Sequence, residues 1–215
     1  YNNKFMSAYN TAENSGVATS LTLDGSTWDT QILATTPVNI SDIIYDESYF
    51  ILTTKNPATP IYRSEDGVVW SNDGTFKRFG TAEYDVSLAG SVDYLNSITC
   101  YDSVFYAAGS SIIASPNTYD WAEVYKFTNN LVNSFYGISK IITPNFSGVI
   151  AVGKGQRIDY SVFPSQVVDT NLIVTTQNGF VTTTQSPSQS YFGLNAVATN
   201  GTTIVAAGEN GIVYI

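Results

Sequence analysis

The side chains that most often carry acid–base or nucleophilic chemistry are scarce in this chain. Histidine is absent from its 215 residues, so no Ser-His-Asp or Cys-His arrangement and no His-ligated metal can form. Cys100 has no second cysteine to pair with, and its neighbours Ile98 and Tyr101 predict a small core side chain. We therefore expect no cofactor and no metal site.

Charge and composition narrow the class of partner. The 18 Asp and Glu residues outnumber the 9 Lys and Arg residues, and the formal net charge of −9 argues against electrostatic binding of nucleic acid or an anionic membrane. Only 13% of the residues are charged, so Ser, Thr, Asn and Gln must cover most of the surface. No apolar run approaches the roughly 20 residues of a spanning helix, and we expect no membrane insertion.

The distribution of apolar residues predicts an all-β fold. Short runs rich in Val, Ile, Thr, Tyr and Phe are separated by Asn-Gly, Asp-Gly and Pro-containing turns. Four largely apolar runs are short enough for strands that are buried on both faces. These runs are residues 50–54, 104–108, 148–152 and 203–207.

All three tryptophans occupy the same position of a repeated motif, found at residues 22–28, 64–70 and 115–121. A hydroxyl residue lies six positions before each tryptophan, with an Asp or Asn between them. Trp28 and Trp70 are 42 residues apart, and Trp70 and Trp121 are 51 apart. These intervals are close to the roughly 40–50-residue period of four-stranded propeller blades.

A second repeat surrounds these motifs. Residues 95–99 and 194–198 both begin with Leu-Asn, and each segment is followed by a polar turn and an apolar strand that ends in Ala-Ala-Gly. A further apolar strand then begins in both places. The same order of elements recurs at 40–62 and 136–153. Repetition of this kind predicts an architecture built from similar sheets.

The tryptophan motif resembles the Asp-box, or bacterial neuraminidase repeat, Ser-x-Asp-x-Gly-x-x-Trp. The whole unit is similar to the blades of sialidase-like and photosystem-assembly-factor-like β-propellers. This resemblance implies a single β-propeller domain or propeller segment over 1–215, built from four-stranded antiparallel blades. The approximate blades are 3–31 (partial), 39–79, 95–127, 135–184 and 192–215 (partial).

About five repeats are visible, and the incomplete first and last units favour part of a six- or seven-bladed ring, or a ring that a partner completes. A closed ring of five blades is the alternative.

The box residues are expected to hold a turn. Asp24 and Asp66 would accept hydrogen bonds from N–H groups of their own turns, and Gly25 and Gly67 would adopt positive φ. The tryptophan would wedge beneath the blade. We assign this structural role to Thr22, Asp24, Gly25, Trp28, Ser64, Asp66, Gly67, Trp70, Ser115, Asn117 and Trp121.

Sialidases of this superfamily clamp the substrate carboxylate with three clustered arginines, beside a Tyr/Glu pair and an Asp. Arg63 lies directly before a box serine, on a strand that approaches the other end of the blade, and Arg78 resembles a loop charge. The Phe-Arg-Ile-Pro signature is missing. We therefore expect no enzymatic activity, with a sialidase-like glycoside hydrolase as the alternative.

Loops between the second and third strands of propeller blades gather at one mouth. Here these loops would be residues 10–15, 55–60, 109–111, 153–157 and 208–211, and the candidate ligand-binding residues are Asn10, Lys55, Lys154, Arg157 and Glu209. We expect a structural or binding propeller on an extracellular or virion surface, such as a phage tail or fibre component. Its partners would be a cell-surface receptor, a glycan or other subunits of a larger assembly. An assembly-factor scaffold that binds a protein complex is a further alternative.

Overall fold

The computed structural model describes residues 5–72, 75–77, 94–126, 133–144, 146–159, 163–177, 180–185 and 193–215. Over these residues the chain forms eighteen strands and a short 3-10 turn, and no α-helix. The prediction of an all-β fold is therefore confirmed. The strands form five sheets that follow one another along the chain, and none of them closes on itself within the described ranges.

The first sheet contains β1 (Met6–Asn10), β2 (Ser15–Ser20) and β3 (Trp28–Ala34), and the second contains β4 (Ile40–Tyr45), β5 (Phe50–Thr54) and β6 (Ile61–Ser64). After β7 (Thr75–Lys77), the third sheet is built from β8 (Leu95–Tyr101), β9 (Val104–Gly109), β10 (Ser111–Ser115) and β11 (Asp120–Lys126). The fourth contains β12 (Ser134–Ile142), β13 (Ser147–Asp159), β14 (Gln166–Gln177) and β15 (Phe180–Gln185). The fifth contains β16 (Leu194–Thr199), β17 (Ile204–Gly208) and β18 (Val213–Tyr214), with the 3-10 turn at Glu209–Gly211.

Most neighbouring strands are antiparallel and are joined by turns whose residues suit them. Tyr101 pairs with Val104, which leaves Asp102 and Ser103 as a two-residue turn with φ values of 52° and 60°. Positive φ at both positions gives the turn the twist that a hairpin requires.

The strand β7 does not pair within the repeat unit in which the sequence places it. β7 falls within the unit predicted at 39–79, but it pairs in parallel with β11 at the edge of the third sheet. An edge strand offers a row of N–H and C=O groups to any strand nearby. β7 satisfies those groups of β11 and therefore belongs to the third sheet.

Among the described residues, four clusters of buried apolar side chains join consecutive sheets. Each cluster takes members from two neighbours in chain order, so the sheets pack face to face. Val17 shares a cluster with Leu52, Ile51 with Phe105, Tyr106 with Phe135 and Val152 with Leu194.

In the second, third and fourth sheets, the second strand is largely buried on both of its faces. β5 is buried along its whole length, with Ile51 in the cluster towards the third sheet and Leu52 in the cluster towards the first. Successive side chains of a strand point to opposite faces, so a strand between two clusters must be apolar throughout. This explains the apolar runs at 50–54, 104–108 and 148–152. The same expectation for 203–207 is wrong, because Val205 in β17 of the fifth sheet is 38% exposed.

The first strands of the sheets contact one another in chain order: β4 with β8, β8 with β12, and β12 with β16. Each of these four strands has a β-bulge near its start, where its register with the second strand skips one residue. The skipped residues are Ser41, Asn96, Tyr136 and Asn195. A bulge takes its residue out of the ladder and re-aims its side chain.

A glycine of the second strand lies opposite three of these bulges, at Gly109, Gly153 and Gly208. A Cβ atom at these positions would overlap the backbone carbonyl oxygens of Tyr94, Ser134 and Gly193, respectively. The repeated glycine therefore allows two backbones to approach closely at the bulge.

Candidate functional site

The four bulged residues line a single pocket. Its volume is about 490 Å³, within the range of about 300–1,000 Å³ that is typical of small-molecule sites. Residues from all five sheets and their adjoining turns form the wall: Asn10, Asn39, Ile40, Ser41, Lys55, Asn96, Tyr136 and Asn195. The wall thus consists mainly of amides and hydroxyl groups, with one ammonium group and one aromatic ring.

Two of the residues predicted to bind a ligand, Asn10 and Lys55, lie in this wall. Sequence reasoning missed the bulged residues and Asn39. The sequence contained one indication of these residues: Asn96 and Asn195 occupy the same place in the Leu-Asn repeat. That repeat predicted strand positions, whereas the register skip that turns these side chains towards the pocket depends on strand pairing.

One part of the wall is held by hydrogen bonds between sheets. The Ser41 hydroxyl donates to the carbonyl oxygen of Leu95 at 2.7 Å. The Asn96 amide donates to the carbonyl oxygen of Phe135 at 2.6 Å. Each acceptor is the residue directly before the bulge of the following sheet. These bonds fix the spacing of consecutive first strands, and with it the shape of the pocket.

A second part of the wall is open to a ligand. In the part of the chain that the structure describes, the polar side-chain atoms of Asn39, Lys55, Tyr136 and Asn195 form no hydrogen bond or ion pair. All four side chains are also exposed. They offer two amides, an ammonium group and a phenol to a molecule in the pocket.

Lys154 and Glu209 lie beside the pocket and not in its wall. A Cβ atom at Gly193 would meet Lys154 Cβ at 3.0 Å and the Tyr136 ring at 3.4 Å, while the Gly193 N–H donates to Glu209 Oε2 at 3.2 Å. Lys154 Nζ is 2.9 Å from Asp169 Oδ2. This hydrogen-bonded pair raises the pKa of Lys154 and lowers the pKa of Asp169, so the two opposite charges largely compensate each other.

The prediction that residues 153–157 form a loop is wrong. β13 continues to Asp159, and Gly153 and Arg157 pair with Leu172 and Val168 of β14. A partner strand of matching length satisfies the backbone groups of this segment, which outweighs the local tendency of Gly-Lys-Gly to turn. The Arg157 side chain lies outside what the structure describes, as does all of Arg78.

The electrostatic surroundings of Tyr136 keep its phenol protonated. Burial raises the pKa of this phenol, and the nearby Tyr94, Glu209 and Asp169 act in the same direction. Lys154 opposes them. Tyr136 therefore presents a neutral hydroxyl group to the pocket near neutral pH.

The first two box motifs form turns held by a carboxylate. Asp24 Oδ1 accepts from the N–H of Ser26 at 3.0 Å, and Asp66 Oδ1 accepts from the N–H groups of Val68 and Val69, both at 2.8 Å. Gly25 and Gly67 have φ values of 69° and 74°. The local hydrogen bonds and backbone conformations expected from the sequence are present.

The third motif reaches the same geometry with different residues. Asn117 Oδ1 accepts from the N–H groups of Tyr119 and Asp120 at 3.0 and 2.8 Å, and Thr118 takes positive φ without being a glycine. In all three turns, the indole N–H donates to the carbonyl oxygen of the residue three positions earlier. The distances are 2.8 Å for Trp28, 3.2 Å for Trp70 and 3.1 Å for Trp121.

The tryptophans differ in burial. Trp121 is 1% exposed within the cluster between the second and third sheets, whereas Trp28 is 43% exposed. The expectation of a tryptophan wedged beneath each sheet therefore fails for Trp28. Neighbouring sheets determine this burial, and the motif itself does not.

Arg63 lies at the opposite end of the second sheet from the pocket. It pairs with Ile51 near the second box motif, whereas the pocket lies at the end where Ile40 pairs with Thr54. Its guanidinium carbon is 5.3 Å from the ring centroid of Tyr119, a cation–π contact. This position gives Arg63 a packing role and keeps it away from any ligand in the pocket.

Other features of the described residues do not suggest chemistry. Within the ranges given above, three or more Cys, Asp or Glu side chains nowhere converge on a metal-sized site. Cys100 packs against the cluster between the second and third sheets, and burial raises the pKa of its thiol. None of the described segments is a helix of the length and apolarity needed to cross a membrane.

A larger groove of about 690 Å³ lies between the first sheet and the second box turn. Its wall is mainly apolar and includes Phe5, Leu21, Ile32, Phe50 and Val68. Gln31 Nε2 donates across it to the Val68 carbonyl oxygen at 2.7 Å. The smaller pocket is the better candidate site because polar groups from all five sheets converge on it.

Comparisons with known proteins add no family. No protein-family model matches the chain, and no curated protein matches it. Among solved structures, the chain is similar to the crystal structure of the computationally designed Ika8 protein, with 9% sequence identity and a TM-score of 0.39. The alignment covers 97% of this chain and 66% of that one, so the chain spans about two thirds of the designed protein. A TM-score this low does not establish a shared fold.

Proposed function

We propose that this chain is a non-enzymatic β-propeller, or a segment of one, in which the five sheets are blades around a shared axis. It acts as a structural and binding module on an extracellular or virion surface, such as a phage tail or fibre. Its partner is a cell-surface receptor or glycan, which binds in the polar pocket.

The contacts between sheets support the radial arrangement. First strands contact first strands in chain order, and each apolar cluster lies between the faces of two consecutive sheets. In a propeller, the first strand of each blade is innermost and the blade faces pack on their neighbours. The second and third box turns both follow the third strand of their sheets, β6 and β10, and this repetition agrees with the arrangement.

The pocket is the single observation that carries the binding role. It takes a residue from the start of each of four first strands, together with Asn10 from the end of β1. Open amide, phenol and ammonium groups on a surface of low charge favour recognition of a polar ligand over catalysis. Since histidine is absent and Tyr136 is kept protonated, the described residues of the pocket wall offer no base near neutral pH.

A glycan array with the whole chain tests this proposal. We expect binding to a subset of immobilised glycans, loss of that binding in Tyr136→Ala, and no release of fluorophore from a panel of fluorogenic glycosides. Tyr119→Ala is the matched control, because Tyr119 is 37% exposed and Tyr136 is 36% exposed, but Tyr119 lies at the third box turn. Fluorophore release, absence of glycan binding, or binding that survives Tyr136→Ala would contradict the proposal.

A further inference from the structure

Resting on the function proposed above, we infer that the pocket is selective for an uncharged sugar. Two neighbouring hydroxyl groups of the sugar bind the open amides of Asn39 and Asn195, and its C–H face packs on the Tyr136 ring. Lys55 acts there as a hydrogen-bond donor and not as the partner of an anion.

The open groups match the chemistry of a polyol. Each side-chain amide carries both donors and an acceptor, as neighbouring hydroxyl groups do, so Asn39 and Asn195 can each exchange two hydrogen bonds with a sugar. Tyr136 adds an aromatic face with a polar edge. Both amides are exposed and occupied by no other described group. A sugar therefore gains hydrogen bonds without displacing any that hold the sheets together.

The charges around the pocket disfavour an anionic ligand. Lys55 is the only charged residue in the described wall. Lys154, which lies beside the pocket, is already paired with Asp169, and Glu209 lies near Tyr136. The chain as a whole carries −9. A sialic acid or phosphate group could therefore pair with the exposed ammonium group of Lys55, but the net negative charge of the chain would repel it.

The described residues of the wall also provide no apolar subpocket for a peptide side chain. Among the described wall residues, Ile40 is the one with an aliphatic side chain. It is 7% exposed and packs in the cluster between the first and second sheets. Peptide ligands depend on aliphatic or aromatic side chains that enter apolar pockets. The composition of this wall favours a sugar over a peptide.

The hydrogen bonds between sheets preform the site before a ligand binds. Asn10, Ser41 and Asn96 are bonded to the backbones of Ile40, Leu95 and Phe135, so the strands that carry the open residues are already spaced. A preformed site loses less entropy on binding than one that must be ordered.

The test is a titration of the whole ¹⁵N-labelled chain, followed by the side-chain amide and backbone signals of the pocket residues. The probes are the methyl glycosides of glucose, galactose and mannose, and in parallel N-acetylneuraminic acid, each up to millimolar concentration. We expect saturable shifts at Asn39 and Asn195 with at least one methyl hexoside. Its dissociation constant should be the same at low and high salt.

Substitutions of single pocket residues test each proposed contact with the sugar separately. Asn195→Ala and Tyr136→Ala should each weaken hexoside binding by about tenfold, and Tyr136→Phe should restore most of the loss because the ring is kept. Asn72→Ala and Tyr119→Ala are exposed matched controls outside the pocket, and they should leave binding unchanged. Lys55→Gln should change binding by no more than about threefold, since a glutamine still donates a hydrogen bond. A melting curve for each variant confirms that it is folded.

The outcomes are distinguishable. Saturable binding of N-acetylneuraminic acid at the pocket, sensitive to salt and to Lys55→Gln, would overturn the inference but keep the proposed binding role. If neither the methyl hexosides nor N-acetylneuraminic acid shift the signals of the pocket residues, the inference is overturned. If the glycan array also shows no binding, the proposed function is overturned as well. Hexoside binding that persists in folded Asn195→Ala and Tyr136→Ala would place the site elsewhere.

Discussion

The side-chain amide of Asn10 pairs with both backbone groups of Ile40. Its Nδ2 donates to the Ile40 carbonyl oxygen at 2.7 Å, and its Oδ1 accepts from the Ile40 N–H at 2.8 Å. Oδ1 also accepts from the hydroxyl of Ser15 at 2.8 Å. One side chain thus replaces a pair of ladder hydrogen bonds and joins the first sheet to the start of β4.

Replacing Asn10 should therefore weaken the fold. Asn10→Ala leaves the N–H and C=O groups of the buried Ile40 without these partners, and we expect the free energy of unfolding to fall by about 1–3 kcal/mol. Urea denaturation measures this change. Asn72→Ala, at an exposed site, is the control, and equal effects of the two substitutions would show that the Asn10–Ile40 pair contributes nothing.

The glycines opposite the bulges should not tolerate a side chain. In Gly153→Ala, the new methyl group overlaps the carbonyl oxygen of Ser134, so either the bulge or the strand pairing must change. We expect a loss of about 3 kcal/mol or more in stability, or failure to fold. Gly211→Asn is the control, since no atom lies near that position and asparagine tolerates its φ of 74°. A fully stable Gly153→Ala protein would contradict the assigned close approach.

The first box turn should respond to acid. Hydrogen bonds from the Thr22 hydroxyl and the Ser26 N–H lower the pKa of Asp24 to about 2, compared with 3.8 for an unperturbed group. Because the folded-state value is the lower one, the charged carboxylate contributes stability above about pH 4 and loses that contribution as the pH falls towards 2.

Carbon-detected NMR of the Asp24 carboxyl group measures this titration directly. The difference in stability between the parent chain and Asp24→Asn should shrink over the same pH range. The third turn provides a comparison within the molecule, because Asn117 makes the corresponding backbone bonds without an ionisable group. A midpoint near 3.8 for Asp24 would contradict the assigned hydrogen bonds.

The tryptophans, which are equivalent in sequence, should differ in their contribution to stability. Trp121→Ala removes a fully buried ring, and we expect a loss of about 3–5 kcal/mol. Trp28→Ala removes a ring that is nearly half exposed and should cost no more than about half as much. Thermal and urea denaturation of the two variants make the comparison, and equal losses would show that burial does not set the contribution of these rings.

Local chemistry made much of the fold predictable. Asp66 and Gly67 determine their turn through hydrogen bonds and a backbone conformation that involve only nearby residues, so the motif alone was sufficient. The apolar run at 50–54 likewise predicted a strand buried on both faces, because the requirement acts on each residue of β5.

The candidate site was less predictable because it depends on pairing between distant residues. Ser41, Asn96, Tyr136 and Asn195 share a position in the sheets but not a residue type, so sequence similarity connects only the two asparagines. The same limitation explains the error at 153–157. The order of strands in the repeat predicted a loop there, but the extended pairing of β13 with β14 continues the strand through these residues.

The hydrogen bonds between first strands also have a consequence for the evolution of longer chains with additional sheets of this kind. β4 accepts a side-chain bond from the preceding sheet and donates one to the following sheet, and β8 does the same. A duplicated sheet of this kind would carry a backbone carbonyl acceptor for the preceding sheet and a side-chain donor for the following sheet. Insertion of a whole unit would then create a junction like those already present, without a newly evolved interface.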